Sequence, residues 1–219
     1  MSQIKINILH TMDYKVALAI QNETHAKIPS KTGLETILIV EHPNVITLGK
    51  RGGVILDGNP SDIPIIQTDR GGLATCHNLG QLVIYPIIDI KSRKIGVKRF
   101  ICILLKTLKN YLLRIYNLEV LISSSQTGLW YQDKKIASIG MRIHKGISYH
   151  GISINIYNDL SLFDRIEPCG FSSHSMTNLI STDGITSKII PNNTEELMKL
   201  GKEIATQLID SIEEESKDY

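Results

Sequence analysis

The chain has 219 residues, of which 21% are charged and 42% are hydrophobic, and its formal net charge is +2. This length accommodates one domain with a single core, and so small a net charge does not indicate a nucleic-acid partner. No apolar stretch approaches the ~18 residues of a membrane span, and the first residues lack a signal-peptide pattern. We therefore expect one cytoplasmic domain over residues 1–219, with neither a nucleic-acid nor a membrane partner.

The predicted elements begin with a helix over residues 13–27, followed in ETILIVEHPNVITLGK by two apolar strands that Pro43 and Asn44 separate as a hairpin-like pair. A strand at IPIIQTD (63–69) leads through a glycine-rich loop, RGGLATCHNLGQ (70–81), into a strand at LVIYPIIDI. The clearest helix runs from Val97 to Ile115, because its apolar residues recur at helical spacing and its lysines fall on the opposite face.

Two further strands, KIASIGMRI and ISYHGISINIY, follow that helix. In the second, Ile152, Ile154 and Ile156 share one face while Ser153 and Asn155 share the other, which predicts a sheet with one polar face. A C-terminal helix is expected over about residues 193–212, with Asn193 as its N-cap and EEESKDY as a solvated tail.

Polar residues gather where the predicted strands end, and a scaffold commonly mounts its site at such positions. The residues concerned are Arg70, Thr75, His77, Lys135, His150, Asn155 and Cys169. RGGLA lacks the spacing of a phosphate-binding loop, and the histidines lack the close spacing of a zinc-binding helix. We therefore expect hydrogen-bonding or pocket roles for His77 and His150, and no metal site.

The three cysteines are Cys76, Cys102 and Cys169; they are odd in number and form no CxxC pair, which argues against a disulfide framework or a structural zinc. Cys169 lies between a proline and a glycine, so it is either a packed thiol or a thiol that a sharp turn presents. A nucleophilic cysteine needs a nearby cation or histidine, and only one of Lys134 and Lys135 can face it from an extended strand. Cys76 is the second candidate, and Cys102, on a helix flank, is the third.

Several segments, in this order, resemble those of the lipoyl(octanoyl) transferases, which move an octanoyl group from acyl carrier protein to a lysine of lipoyl domains. They are EHPNVITLGK, RGGLATCHNLGQLVIYPI, TGLWYQDKKIASIG, HGISINI, DLSLF and PCGF, which span roughly residues 41 to 171. The resemblance implies an α/β (α+β) fold in which helices flank a mixed sheet, similar to the catalytic domain of biotin and lipoate protein ligases. It implies no cofactor.

The resemblance places the family's acyl-thioester cysteine on Cys169 and its pKa-lowering lysine on Lys135. The acceptors that it implies are the lipoyl domains of 2-oxoacid dehydrogenase complexes and the glycine cleavage H protein. The family's acyl-pocket segments fall on Arg70, Gly71, Gly72, Leu73, Ala74, Thr75, Cys76 and His77, on Ser138, Ile139 and Gly140, and on Gly151, Ile152 and Ser153.

One segment departs from the family pattern, because HNLGQ stands where the family usually reads HGPGQ. Asn78 and Leu79 therefore predict a differently shaped loop. Two other functions remain open: an ATP-dependent lipoate ligase of the same fold, against which PCGF and KKIASIG argue, and a non-catalytic module that binds the carrier. The basic stretch KSRKIGVKR (91–99) is either a docking surface for an acidic carrier protein or a solvated loop and helix start.

Overall fold

The computed structural model describes residues 3–30, 32–56, 62–123, 127–167, 175–183, 185 and 190–217. Three α-helices and twelve β-strands are assigned within these ranges. In chain order they are β1 (Lys5–Thr11), α1 (Tyr14–Lys27), β2 (Thr36–Glu41), β3 (Val45–Leu48), β4 (Ile65–Gln67), β5 (Ala74–His77), β6 (Gln81–Ile87), α2 (Val97–Tyr116), β7 (Leu121–Ile122), β8 (Gly128–Tyr131), β9 (Lys134–Ile139), β10 (Arg142–His144), β11 (Ile147–Tyr149), β12 (Ile152–Asn155) and α3 (Thr194–Glu215).

The main layer is a seven-stranded sheet in the order β1-β2-β6-β12-β9-β8-β7. Strand β1 pairs with β2 in parallel, and the other neighbours pair antiparallel. A three-stranded sheet, β4-β3-β5, and a two-stranded hairpin, β10-β11, complete the strands. This mixed sheet with flanking helices confirms the predicted fold class.

Helices α2 and α3 cover one face of the main sheet. Their apolar stripes pack on isoleucines and leucines of the central strands, among them Ile37, Ile39, Leu82, Ile84, Ile152 and Ile154. Helix α3 approaches the sheet closely at Gly201, where a Cβ atom would lie 2.4 Å from Ile39 Cγ2. The opposite face of the same strands carries Val83, Tyr85, Ser153 and Asn155, and α1 packs on that side. The polar face predicted from the alternation in β12 is confirmed.

Several predictions of individual strands are wrong, mostly because strand boundaries and partners depend on pairing between distant segments, which the local sequence pattern does not show. Strands β2 and β3 join different sheets rather than forming a hairpin, and the glycine-rich loop contains β5. The segment ISYHGISINIY divides at His150, whose φ of 53° is left-handed, into β11 and β12. Strand β1 was not predicted.

The C-terminal helix begins where expected, since the Asn193 side chain accepts a hydrogen bond from the Glu196 N–H. It continues to Glu215, beyond the predicted end, and Glu215 and Ser216 are buried. The tail is therefore not solvated throughout, because Arg99 of α2 binds the Glu215 carboxylate. Across the described ranges, no helix has the length and apolar character required to cross a membrane.

Candidate active site

A pocket lies on the polar face of the main sheet, opposite α2 and α3. It encloses about 450 Å³ including its open mouth. Of the predicted pocket residues, ten line it: Arg70, Gly72, Thr75, His77, Ser138, Ile139, Gly140, Gly151, Ile152 and Ser153. Four other residues complete the lining: Tyr14, Val83, Tyr85 and His150. The three predicted segments are thus brought together around one cavity.

Strand alternation explains which of the predicted residues miss the pocket. In β5, Thr75 and His77 line the pocket, whereas Ala74 and Cys76 point the other way into an apolar cluster with Phe163. Gly71 and Leu73 do not line it either. The family resemblance predicted every residue from 70 to 77 as a pocket residue, whereas only alternate residues of an extended strand face the same side.

Burial makes Cys76 unsuitable as a nucleophile. Its side chain is fully enclosed, and this burial raises the pKa of the Cys76 thiol well above its ordinary value. Cys102 is half-buried on α2, in a surface groove with Lys106 and Glu215. Cys169, the preferred candidate, lies outside the described residues. The two described cysteines are both free thiols.

Arg70 is a buried cation in the pocket wall. Its Nε donates to Thr47 Oγ1 and its Nη2 to the Thr47 carbonyl, at 3.0 and 2.7 Å. Gly140 gives this side chain room, because a Cβ there would lie 3.2 Å from Arg70 Cδ. The guanidinium is thus fixed, and its positive charge contributes to lowering the pKa values of His77 and His150.

A cluster of buried aromatic rings closes one side of the pocket. The rings of Tyr14 and His77 stack with centroids 5.7 Å apart, and His42 meets both rings edge-on. His42 Nδ1 bonds the Met12 carbonyl at 2.7 Å, so its Nε2 accepts from the Tyr85 hydroxyl at 2.8 Å. Burial lowers the pKa of His42 to about 4 and that of His77 to about 3. Both imidazoles are neutral at physiological pH.

These two histidines should make the fold sensitive to acid. The unfolded chain binds protons at the ordinary histidine pKa of about 6.5, whereas the folded chain does not until pH 3 to 4. The free energy of unfolding should therefore fall as the pH drops below 6.5, by up to about 3 kcal/mol per histidine at pH 4. Urea denaturation at pH 7 and pH 4.5 measures the fall, and His42→Gln should reduce it. An equal fall in wild type and variant would contradict this assignment.

His150 also lines the pocket. Its Nε2 bonds Asp69 Oδ1 at 2.9 Å, and Tyr149 and Arg142 bind the same carboxylate. Burial alone would raise the pKa of Asp69, but the hydrogen bonds from Tyr149 and His150 outweigh it and hold that pKa below its ordinary value. Burial also lowers the pKa of His150. His150, Asp69, Tyr149 and Arg142 therefore form a fixed polar cluster at the pocket wall.

Lys135 is buried in β9, while Lys134 beside it is exposed. Its Nζ lies 5.5 Å from the centre of the Trp130 ring on β8. The side chain crosses Gly128, where a Cβ would lie 2.5 Å from Lys135 Cε, so any larger residue would displace the amine. Lys135 pairs with Trp130, the residue that follows the core residue Leu129 on β8. Because successive residues of a strand face opposite sides of the sheet, the Lys135 side chain lies on the face away from α2 and α3.

The segments on both sides of Cys169 are anchored to the rest of the fold. Before it, Glu167 N–H donates to the Val54 carbonyl at 3.1 Å. After it, Thr177 N–H donates to the Lys135 carbonyl at 3.0 Å, and Met176 forms a bridge with Lys135. Met176 and Thr177, seven and eight residues after Cys169 in the sequence, therefore pair with the strand that carries Lys135.

The HNLGQ loop differs in sequence from the family pattern, but its two unusual residues do not line the pocket. Asn78 donates to the Asp159 carbonyl and accepts from Asn158, which anchors the loop. Leu79 is 53% exposed, and Gly80 turns the chain with a φ of 87°. The predicted change of loop shape thus lies outside the pocket lining.

The basic stretch 91–99 is less basic at the surface than its sequence suggests. Arg93 is buried and forms a salt bridge with Glu35, and Arg99 is paired with Glu215. Lys91, Lys94 and Lys98 remain exposed. Of the five cations that the sequence indicated, Arg93 is thus buried and the exposed Arg99 is paired with a carboxylate.

The sequence analysis missed Tyr14, Val83 and Tyr85 as pocket residues. Val83 and Tyr85 alternate along β6 with the core residues Leu82 and Ile84, so a period-two pattern was available. Nothing local marks Tyr14, which opens α1. Within the described part of the chain, no group of three or more His, Cys, Asp or Glu side chains could hold a metal ion.

Solved structures of other proteins share the fold of this chain. Lipoate-protein ligase A bound with ATP superposes with a TM-score of 0.64 at 14% identity, over 99% of this chain and 94% of that one. An archaeal bipartite lipoate protein ligase from Thermoplasma acidophilum gives 0.59 at 12% identity, over 100% and 92%. At such low identities the likeness shows the fold alone, which is that of lipoate protein ligases.

Sequence relatives define the family more narrowly. Residues 13–189 match the Lipoyl protein ligase A/B catalytic domain. The octanoyltransferase of Shewanella piezotolerans is 36% identical over 98% of this chain and 90% of its own length, and that of Shewanella halifaxensis is 41% identical over 79% and 78%. The chain belongs to the octanoyltransferase family of this catalytic domain, and it is an acyltransferase.

Proposed function

We propose that the chain transfers an octanoyl group from octanoyl-acyl carrier protein to a lysine of lipoyl domains through a thioester on Cys169, a step in protein lipoylation. The observation that carries this proposal is the buried Lys135 amine, on a strand whose carbonyl anchors the segment that follows Cys169. A cation placed in this way favours a thiolate nearby.

The first step exchanges one thioester for another. The Cys169 thiolate attacks the octanoyl carbonyl and a carbon–sulfur bond to Cys169 forms, while the bond to the carrier's phosphopantetheine sulfur breaks. That sulfur takes up the proton that Cys169 gave up to Lys135 on becoming a thiolate. In the second step the acceptor lysine attacks the Cys169 thioester, a carbon–nitrogen bond forms, and the Cys169 sulfur leaves. The amine's proton passes to that sulfur, with Lys135 handling the transfer. The sequence of steps needs no nucleotide.

The pocket suits the acyl chain. Its lining residues include the apolar Val83, Ile139 and Ile152, and three glycines, Gly72, Gly140 and Gly151, which add no side chain to the wall. The residues from Ser138 to Gly140 extend along it for roughly 7 Å at the usual strand rise. Each buried methylene should contribute about 0.8 kcal/mol, which favours eight carbons over four.

The acceptors that we propose are the lipoyl domains of 2-oxoacid dehydrogenase complexes and the glycine cleavage H protein. A structural neighbour supports this choice, because the archaeal ligase was solved as a system with its E2 lipoyl domain. A free Cys169 thiol needs a reducing compartment, so we place the reaction in the cytoplasm.

Intact mass spectrometry separates the candidate functions. Mixed with octanoyl-carrier and no ATP, a transferase gains the mass of one octanoyl group. An ATP-dependent ligase gains it only when ATP and the free acid are supplied, and a non-catalytic module that binds the carrier gains nothing. Absence of the octanoyl adduct without ATP would overturn the proposal.

The exposed lysines of the 91–99 stretch provide a test for the carrier. Acyl carrier proteins are generally acidic, so a positive patch should raise their association rate at low salt. Lys94→Glu combined with Lys98→Glu should weaken the use of carrier-bound octanoate far more than that of octanoyl-coenzyme A. Added salt should shrink the difference, because it screens exposed charges. Equal losses with both donors, or none, would exclude the patch as the docking surface.

A further inference from the structure

A continuous chain of buried hydrogen bonds joins His77 in the pocket to the segment that follows Cys169. His77 Nδ1 bonds Gln81 Oε1 at 2.6 Å, and Gln81 Nε2 donates to Asn155 Oδ1 at 2.9 Å. Asn155 Nδ2 in turn donates to the Thr177 carbonyl at 2.9 Å. The neighbouring Thr177 N–H binds the Lys135 carbonyl. The side chains of His77, Gln81 and Asn155, which form these hydrogen bonds, are all buried.

The direction of this chain follows from its far end. A backbone carbonyl can only accept, so the Thr177 carbonyl requires the Asn155 amide nitrogen and turns its oxygen toward Gln81. Gln81 must then donate to Asn155, and it donates also to the Cys76 carbonyl at 3.3 Å. Its oxygen therefore accepts from His77, which fixes the proton of the neutral imidazole on Nδ1.

The other ring nitrogen of His77 consequently keeps its lone pair. Nε2 has no hydrogen-bond partner among the described residues, and the ring lines the pocket. Stacking on Tyr14 and the edge contact with His42 prevent the ring from turning. His77 Nε2 is thus a fixed hydrogen-bond acceptor in the pocket, available to a donor group of a substrate.

The chemistry of the two proposed steps identifies that donor. The phosphopantetheine arm of the carrier has amide N–H groups, but it has left once Cys169 is loaded, and neither the octanoyl chain nor its thioester carries an N–H or O–H group. In the second step the incoming substrate that brings N–H groups to the reacting carbonyl is the acceptor lysine amine. Because burial holds the pKa of His77 at about 3, the ring does not take a proton from the amine; it accepts a hydrogen bond.

We propose that His77 Nε2 orients the attacking lysine amine of the lipoyl domain in the second step, and that Gln81 and Asn155 are positioning residues that fix its tautomer. This inference rests on the proposed function. A hydrogen bond to Nε2 leaves the amine's own lone pair directed at the thioester carbon while the carbon–nitrogen bond forms.

The half-reactions, measured separately by intact mass, test this role. The variant His77→Phe keeps a ring that can stack on Tyr14 but lacks an acceptor. It should slow the transfer of octanoate from the loaded enzyme to a lipoyl domain about 10- to 100-fold more than it slows loading from the carrier. His77→Gln, whose amide oxygen can accept, should recover part of the loss.

Gln81→Met provides a second variant that leaves His77 intact. It has nearly the same length but can neither accept from Nδ1 nor donate to Asn155. ¹⁵N NMR of the histidine rings should show an unprotonated Nε2 in the wild type and a mixture of tautomers in Gln81→Met, with slower transfer to the lipoyl domain. Asn178→Ala is the matched control, because it removes another buried amide, which donates to Asn158, outside this chain of bonds. It should leave the ratio of the two rates unchanged.

The outcomes separate this inference from the proposed function. If the wild-type enzyme does not load octanoate, the proposed function fails and the role of His77 falls with it. Should the enzyme load normally but His77→Phe slow both steps equally or neither, only the role of His77 is overturned. A proton on Nε2 in the wild-type spectrum would overturn it as well.

Discussion

Cys169→Ser is expected to abolish the octanoyl adduct while the fold is retained. A serine hydroxyl has a pKa far above that of a thiol, so Lys135 cannot hold it in the charged form, and no detectable loading should remain. Intact mass after mixing with octanoyl-carrier measures the loading, and thermal unfolding verifies the fold. This variant and Lys135→Met should have the largest effects of any single substitutions in the chain.

The other two cysteines provide the controls for this experiment. Cys76→Ala should still load octanoate, because Cys76 is fully enclosed in an apolar cluster and burial raises its pKa well above the ordinary thiol value. Cys102→Ala should load normally, since Cys102 lies on α2, on the far side of the main sheet from the pocket. Loading that survives Cys169→Ser and is lost in Cys76→Ala would show that the nucleophile has been misassigned.

The sequence predicted those parts of the fold that depend on local pattern. The apolar periodicity of residues 97–115 predicted α2 to within one residue at its C-terminal end, and the alternation of β12 separated its core face from its polar face. Long-range pairing left no such local signal. Strands β2 and β3 join two different sheets because β2 pairs with β6 and β3 pairs with β5, and both partners come later in the chain.

The pocket could be predicted only in outline. Motif segments located it, and ten of their fourteen predicted residues line it. The remaining liners depend on folding: Tyr85 reaches the pocket because β6 lies at the centre of the sheet, and Tyr14 because α1 packs over that face. Likewise, the hydrogen bonds of Gln81 join His77 to Asn155, which lies 74 positions after Gln81, so no rule of local spacing could reveal this network.

The adjacent residues Lys134 and Lys135 show what strand alternation can and cannot predict. Period two requires that adjacent lysines on a strand face opposite ways, and the structure places Lys134 in solvent and Lys135 in the interior. Alternation alone did not indicate which of the two is buried. Register decides that, since Lys135 pairs with Trp130 and its side chain occupies the space that Gly128 leaves open.

Lys135→Met is expected to slow alkylation of Cys169 by iodoacetamide at neutral pH by about 10- to 30-fold, the difference between a largely ionised thiol and one with an ordinary pKa near 8.5. Methionine keeps the apolar stem that crosses Gly128 and removes only the amine. The dependence of the alkylation rate on pH should therefore move to higher pH, because the thiol has lost its stabilising cation. Lys134→Met is the matched control: it removes the same charge one residue away, from a side chain in solvent, and should leave the profile unchanged. Equal shifts in the two variants would mean that general charge, rather than the buried position of Lys135, sets the reactivity of the thiol.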